Sequence, residues 1–328
     1  MRSFVVGGAG FIGSPMVARL VERGPVTIYD NLSVGKRAFV AGHLDKGRAT
    51  LIEADVLDLD RLVDAVRGHD LVVHLAANPE ARWGLERTRL DLEQGTIATY
   101  NVLEAMRRAG VPRLVFSSSG TVYGDTEKTC AEGDLGALPI SLYGASKFAG
   151  EALIAAFVEC FGLSARIYRF GNVGGPRGTH GAALDFLKKL RDKKTELEVL
   201  GDGRQSKPYL FVTDCVDGML FGLDHAREKL DIFNLAPPDH TSVARIAEMC
   251  VAASPYPDAA IRYTGGDRGW PGDVPRSRMN PEKLAALGYR VSLTSDQAVQ
   301  RAIEALAREV FPDMHAAEPG ARTSRDHA

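Results

Sequence analysis

Ser3-Phe4-Val5-Val6-Gly7-Gly8-Ala9-Gly10-Phe11-Ile12-Gly13 decides the fold. A strand-like run passes into three glycines spaced three apart, and an amphipathic stretch over 13–23 follows. Glycine at 7 and 10 lets a backbone approach a pyrophosphate, and Gly13 lets the helix pack on the strand. The helix N-terminus adds N–H groups and a positive dipole end. Glycine spacing alone is a weak signal. Here a second strand, Val26–Tyr29, ends at Asp30, where a carboxylate accepts both ribose hydroxyls and repels a 2′-phosphate. Strand, glycines, helix and acid in register imply a dinucleotide site that takes NAD rather than NADP.

Working outward, strands are expected at 49–53, 71–74, 113–117 and 165–169. Helices are expected at 58–66, 95–108 and 143–161. That alternation predicts an α/β, Rossmann-type doubly wound parallel sheet. Asp55-Val56 and Leu75-Ala76-Ala77 close the third and fourth strands, at the edge where such sheets bind ligands. Asp55 suits an adenine amine, and the two alanines leave room for a cofactor; ordinary strand ends would look the same. After Asn172 the pattern loosens. A helix over 213–225 and a strand over 231–235 return to the sheet. Residues 1–171 with about 209–237 are read as the NAD-binding domain. Residues 172–208 with 238–312 are read as a smaller C-terminal α/β substrate-binding domain, with helices at 242–253 and 295–310. Residues 313–328 are expected to be a disordered tail.

The 328-residue chain is 45% hydrophobic, with 40 Lys plus Arg against 42 Asp plus Glu. That balance lacks the basic excess expected of a nucleic-acid or anionic-membrane binder. No apolar run approaches the ~20 residues of a membrane span. No signal-like segment precedes the first strand, so a cytoplasmic location is expected. Cys130, Cys160, Cys215 and Cys250 form no C-x-x-C pair and read as reduced thiols. No His, Cys and carboxylate cluster has metal-ligand spacing, so no metal is expected, and His74 and His180 read as structural.

Tyr143 and Lys147 lie one helical turn apart, on one face. A phenol is a poor base at neutral pH, with a pKa near ~10. A nearby ammonium and a cationic nicotinamide ring are expected to lower it. Alone, Tyr-x-x-x-Lys is a common surface pair. Its place after Ser117-Ser118-Ser119, on a sheet that opens with a dinucleotide fingerprint, makes it a candidate catalytic pair.

With these residues the chain resembles the extended short-chain dehydrogenases/reductases of the NAD-dependent epimerase/dehydratase branch, and among them the UDP-glucose (UDP-galactose) 4-epimerases. The resemblance rests on GGAGFIGS at 7–14, YDNLSVGKR at 29–37, HLAAN at 74–78, SSSGTVYGD from Ser117 to Asp125, and YGASKFAGE at 143–151. It continues through YRFGNVGGPR at 168–177, LGDGRQSKPYLFVTDCVDGM at 200–219 and RGWPGDV at 268–274. It spans residues 2 to about 311. It implies that Gly7, Gly10, Phe11, Ile12, Asp30, Asn31, Asp55, Val56, Ala76 and Lys147 hold NAD. It further implies that Tyr143 is the base, Ser119 its hydroxyl partner, and Asn172 a contact to the sugar diphosphate of a nucleotide-sugar substrate.

The implied reaction is redox-neutral. Tyr143 takes the proton from O4 while C4 is oxidised, and a transient 4-ketose turns and is reduced on its other face. Relatives that dehydrate or decarboxylate carry acidic residues just after the catalytic serine, where this chain has Gly120-Thr121. Dehydration or decarboxylation is therefore not expected. Departures concern the substrate. The diphosphate arginine is replaced by Lys207, and Trp270 stands where the later arginine belongs, with Arg268 as its candidate substitute. Gly95 stands where many relatives have Asn. The small Ser277 falls at the residue gating the sugar 2-position, unless the loop shifts so that Arg276 or Arg278 faces the sugar and favours a uronate. A reductase, an epimerase at another carbon and an NAD-sensing protein remain as alternatives. The resemblance also implies a homodimer, formed as a four-helix bundle from the helices at 95–108 and 143–161.

Overall fold

The computed structural model describes residues 1–134 and 137–315. Seven parallel strands form its central sheet: β1 (Ser3–Val6), β2 (Val26–Asp30), β3 (Ala49–Glu53), β4 (Leu71–His74), β5 (Arg113–Ser119), β6 (Ser164–Phe170) and a seventh, Leu230–Leu235. From one edge the order is Leu230–Leu235, β6, β5, β4, β1, β2, β3. The order reverses between β1 and β4, which makes the ligand crevice of a doubly wound sheet. The strands on either side of that reversal are buried on both faces, so β1 and β4 read as apolar runs rather than as alternation.

One face is covered by α1 (Gly13–Leu20) and by the helix Val212–His225; Met16, Val17, Leu20, Val216 and Met219 pack there on Val5, Ile28 and Val73. The other face carries α2 (Leu59–Val66), α3 (Ala98–Ala109) and α4 (Leu142–Phe161), through Leu62, Val102, Leu103, Ile154 and Phe157. A third apolar cluster is separate in composition. It joins Leu184, Leu187 and Leu190 to Ile246, Cys250, Val299 and Ile303, from helices Ala182–Lys193, Val243–Ala252 and Ser295–Val310. Two short parallel pairs complete this region: Glu196–Val199 with Ala260–Tyr263, and Asn172–Gly174 with Tyr209–Phe211.

Three differences from the sequence reading have physical causes. The helix expected from 95 starts earlier, as a π-helical segment over Leu92–Ile97 that runs into α3. A Cβ on Gly95 would overlap the Ser146 hydroxyl and lie 2.6 Å from Ser146 Cβ, so the missing side chain lets α4 press into the wide turn. Helix Ala182–Lys193, with Leu184, Leu187 and Leu190 on one buried side, was not foreseen. The tail expected from 313 begins inside a helical turn, Pro312–His315, and residues 316–328 lie outside the described residues. Among the described residues no helix is long and apolar enough to cross a membrane.

Candidate active site

A cavity of about 500 Å3 runs along the carboxyl ends of the strands, from the glycine turn to the loop around Asp273. Gly7, Gly10, Phe11 and Ile12 form its floor at the β1–α1 turn. Gly7 has φ +81°, and a Cβ there would sit 2.7 Å from the Ala76 backbone nitrogen, so the turn and the end of β4 meet backbone to backbone. No side chain caps the N-terminus of α1, where the Ser14 N–H bonds the Gly10 carbonyl, and the positive end of the helix dipole is left for an anion. Asp30 is buried at the end of β2 and accepts N–H bonds from Ala9 and Leu32, both at 2.9 Å. Burial raises its pKa, while those two bonds oppose the rise. Val56, Leu75, Ala76, Ala77 and Asn31 complete this half. The open glycine turn, the uncapped helix and a carboxylate at the ribose position fit NAD.

Asp55 is placed differently. Its carboxylate accepts from Asn31 Nδ2 and from the Leu57 N–H, each at 2.9 Å, and it is not on the cavity wall, although Ala54 and Val56 are. Its acceptor capacity serves the loop that holds Asn31.

The strand end Ser117–Ser119 divides its three hydroxyls. Ser117 Oγ donates to the His74 carbonyl at 3.2 Å. Ser118 Oγ donates to Glu151 Oε1 at 2.5 Å. Ser119 lines the cavity together with Tyr143, and its hydroxyl accepts from the Thr121 N–H at 3.2 Å and the Thr121 hydroxyl at 3.0 Å. Ser141 caps α4 by accepting the Gly144 N–H at 3.0 Å, which sets the first turn that carries Tyr143. Lys147 is buried, donates to the Ser117 carbonyl at 2.6 Å, and lies 5.8 Å from the Tyr143 ring centroid.

Burial pushes the Tyr143 phenol up to about 12, with the Asp91 carboxylate adding to the rise and the Ser119 hydroxyl opposing it. Burial lowers Lys147 to about 8, against Glu151 and Asp91. His74 is pushed down to about 3 by burial, with Lys147 nearby, so it is a neutral ring beneath the site. His180 lines the cavity rather than the core, and burial lowers its pKa.

The far half of the cavity is lined by Asn172, Lys207, Trp270 and Ser277. Lys207 Nζ is paired with Asp273 Oδ1 at 2.6 Å. Arg268 is not on the wall: its guanidinium is taken by Asp125 Oδ2 at 2.6 Å and the Asp273 carbonyl at 3.3 Å. Arg276 and Arg278 also turn away, to the Glu127 carboxylate and carbonyl, and leave Ser277 facing the cavity. Sequence reasoning missed Arg82, which lines this half in a side-on pair with Glu80 (Nε–Oε1 3.1 Å and Nη2–Oε2 2.9 Å). The only signal was a charged pair just past the β4 alanines.

A 32% identical relative, covering 75% of this chain and 78% of its own length, is the UDP-N-acetyl-alpha-D-glucosaminuronate decarboxylase of Bacillus cytotoxicus. A crystal structure of UDP-galactose 4-epimerase superposes with a TM-score of 0.82 at 37% identity, covering 95% of this chain and 100% of that one. The UDP-glucose 4-epimerase of Thermus thermophilus in complex with NAD superposes with a TM-score of 0.82 at 30% identity, over 93% of this chain and 99% of that one. The model of the NAD dependent epimerase/dehydratase family matches residues 3–236, and this chain belongs to that family.

Proposed function

We propose that the enzyme is a nucleotide-sugar 4-epimerase of the UDP-hexose type. One observation carries the reading: Tyr143, Ser119 and Lys147 converge on the cavity, and the positions following Ser119 are Gly120 and Thr121, neither an acid. Bound NAD supplies hydride removal from C4 and its return. Tyr143 accepts the O4 proton and later gives it back. Ser119 bonds the same oxygen and holds the phenol in line. Lys147 orients the cofactor ribose and supplies positive charge that favours the phenolate once the site is filled. Acid/base work at C5 or C6 finds no carboxylate beside Ser119, which argues against dehydration and decarboxylation.

On the substrate side, Asn172 and Lys207 are assigned to the sugar diphosphate. Asp273 must yield part of its hold on Lys207 for that contact. Arg268 reaches the diphosphate only if its bond to Asp125 opens. Ser277 on the wall supports a pocket wide enough for a 2-N-acetyl group, so UDP-GlcNAc/GalNAc is expected to be accepted beside UDP-Glc/Gal. The protein is assigned to the cytoplasm, and as a homodimer, since α3 and α4 leave apolar side chains uncovered.

The test is to incubate purified protein with UDP-glucose, UDP-GlcNAc and UDP-glucuronate separately, without added NAD. Appearance of the C4 epimer of the first two supports the reading. Conversion of the uronate alone would replace the gate reading with a carboxylate-selective pocket. A 4-keto-6-deoxy sugar or released carbon dioxide at catalytic rates would overturn the epimerase assignment.

A further inference from the structure

The Tyr143/Lys147 pair belongs to a longer stripe. Tyr143, Lys147 and Glu151 follow one another at four-residue steps along α4, so they share the side of the helix that rests on the sheet. Glu151 is 5% exposed and takes no part in the reaction above. Its carboxylate is fully engaged. Oε1 accepts from Ser118 Oγ at 2.5 Å and from Arg169 Nε at 3.0 Å, and Oε2 accepts from Arg169 Nη2 at 2.7 Å. Arg169 is held in turn by the Glu132 carbonyl at 3.1 Å and by the Tyr123 ring, whose centroid lies 4.7 Å from its guanidinium carbon.

The two partners of Glu151 come from neighbouring strands. Ser118 on β5 and Arg169 on β6 are paired in register, so both side chains leave the sheet on one face and meet the same carboxylate of α4. One helical turn earlier, Lys147 Nζ reaches the Ser117 carbonyl at 2.6 Å. Two successive residues of β5 therefore fix α4: Ser117 through Lys147, and Ser118 through Glu151. The next residue of the strand is Ser119, which lines the cavity with Tyr143. Apolar contacts are non-directional, whereas these bonds demand a distance and an angle. A buried ion pair gains little stability over apolar residues of the same volume, so what it can add here is orientation.

We propose that Glu151 is a positioning residue: clamped between Arg169 and Ser118, it sets α4 on the end of β5 so that Tyr143 and Lys147 meet the cavity beside Ser119. The proposal rests on the reading of Tyr143 as the base. It gives the middle serine of Ser117-Ser118-Ser119 a task of its own, since the hydroxyl of Ser118 bonds only Glu151 among the described residues.

Ser118→Ala removes the link between Glu151 and β5 and leaves the Glu151–Arg169 pair in place. With whichever UDP-sugar the wild type converts, kcat should fall about 10- to 100-fold, the scale of a small misplacement of reacting groups, while KM and retained NAD change little. Ser118→Thr keeps the hydroxyl and should recover most of the loss. A merely structural role would lower the melting temperature and leave kcat in place. That result, or a Ser118→Thr no more active than Ser118→Ala, overturns the proposal. If Ser118→Ala does not fold, Ser118→Cys, similar in size and a much weaker donor, carries the same expectation. A second readout needs no sugar. In NAD-loaded protein the Tyr143 13Cζ NMR signal, assigned with Tyr143→Phe, should be displaced in Ser118→Ala and restored in Ser118→Thr; an unmoved signal overturns the proposal. The two readings fail separately. Full turnover by Tyr143→Phe removes the base, whereas an inactive Tyr143→Phe beside a fully active Ser118→Ala leaves the base standing and removes the clamp.

Discussion

With Tyr143 held near 12 and Lys147 near 8, the phenol keeps its proton at neutral pH. Tyr143→Phe removes the acceptor of that proton and little else, since Ser119 keeps its bonds with Thr121 and Lys147 keeps the Ser117 carbonyl. Activity should fall at least ~10²-fold, the scale of general-base loss, with NAD still bound. Near-full turnover by this variant would remove Tyr143 from the mechanism. His74 supports a second prediction. It is neutral in the fold, with its pKa near 3, whereas an unfolded histidine binds a proton near ~6.5. Between those values the unfolded chain binds more protons, so stability falls as pH drops, by roughly 1.4 kcal/mol per pH unit from this residue. Urea unfolding at pH 7 and pH 4.5 should show a larger acid loss in wild type than in His74→Gln; equal losses would refute it. At this scale the sequence revealed which residues end each strand, because strand ends are set by local pattern. It did not reveal how a side chain spends its bonds. Asp55 and Arg268 sit next to cavity residues yet are committed to Asn31 and Asp125, contacts 24 and 143 residues apart.

The glycines of the first turn separate the needs of an element from those of a ligand. A Cβ on Gly13 would overlap the Gly7 carbonyl oxygen and lie 2.7 Å from Gly8 Cα, all backbone that cannot give way. A Cβ on Gly10 meets only the Gly7 oxygen, at 3.3 Å, and otherwise faces the cavity. Gly13→Ala should therefore cost about 1–3 kcal/mol of stability, as overpacking does, and weaken NAD retention with it. Gly10→Ala should weaken NAD retention while moving the melting temperature little. Thermal melts with and without added NAD check both; equal melting losses in the two variants would undo the distinction. The same local logic made the seven sheet strands legible, since buried parallel strands are short apolar runs between helices. Beyond Asn172 it found the helices at 213–225, 242–253 and 295–310 but missed the short strands. Glu196–Val199 alternates but is only four residues long, and Ala260–Tyr263 has no fully buried residue, so neither stands out in the sequence. The π-helical turn at Leu92–Ile97 was invisible for another reason: its cause is Ser146, on a different helix.

Across the whole molecule, the helices that carry chemistry also carry an unsatisfied surface. α4 bears Tyr143 and Lys147 near its start and ends at Phe161, which is 52% exposed. Tyr100 of α3 meets Phe157 edge to face at 6.3 Å, and Phe157 meets Phe161 at 5.0 Å, so one aromatic ladder crosses both helices. Leu92, Ile97 and Tyr100 are 49%, 38% and 43% exposed beside it. Apolar side chains grouped on two adjacent helices are what the proposed dimer would cover. In the proposed dimer, a second copy offering the same two helices would close the arrangement by twofold symmetry, with four helices in contact. The expected outcome is that the wild type sediments at twice the 35.4-kDa chain mass. Tyr100→Glu with Phe161→Glu should sediment as one chain, because two carboxylates placed in a desolvated aromatic contact cost far more than they return. Its melting temperature should also fall, since α4 loses the packing that steadies its outer side. The cavity is built within one chain, so the monomeric variant should still bind NAD. A wild type that sediments as a single chain at micromolar concentration would leave the ladder without its partner and reject the dimer.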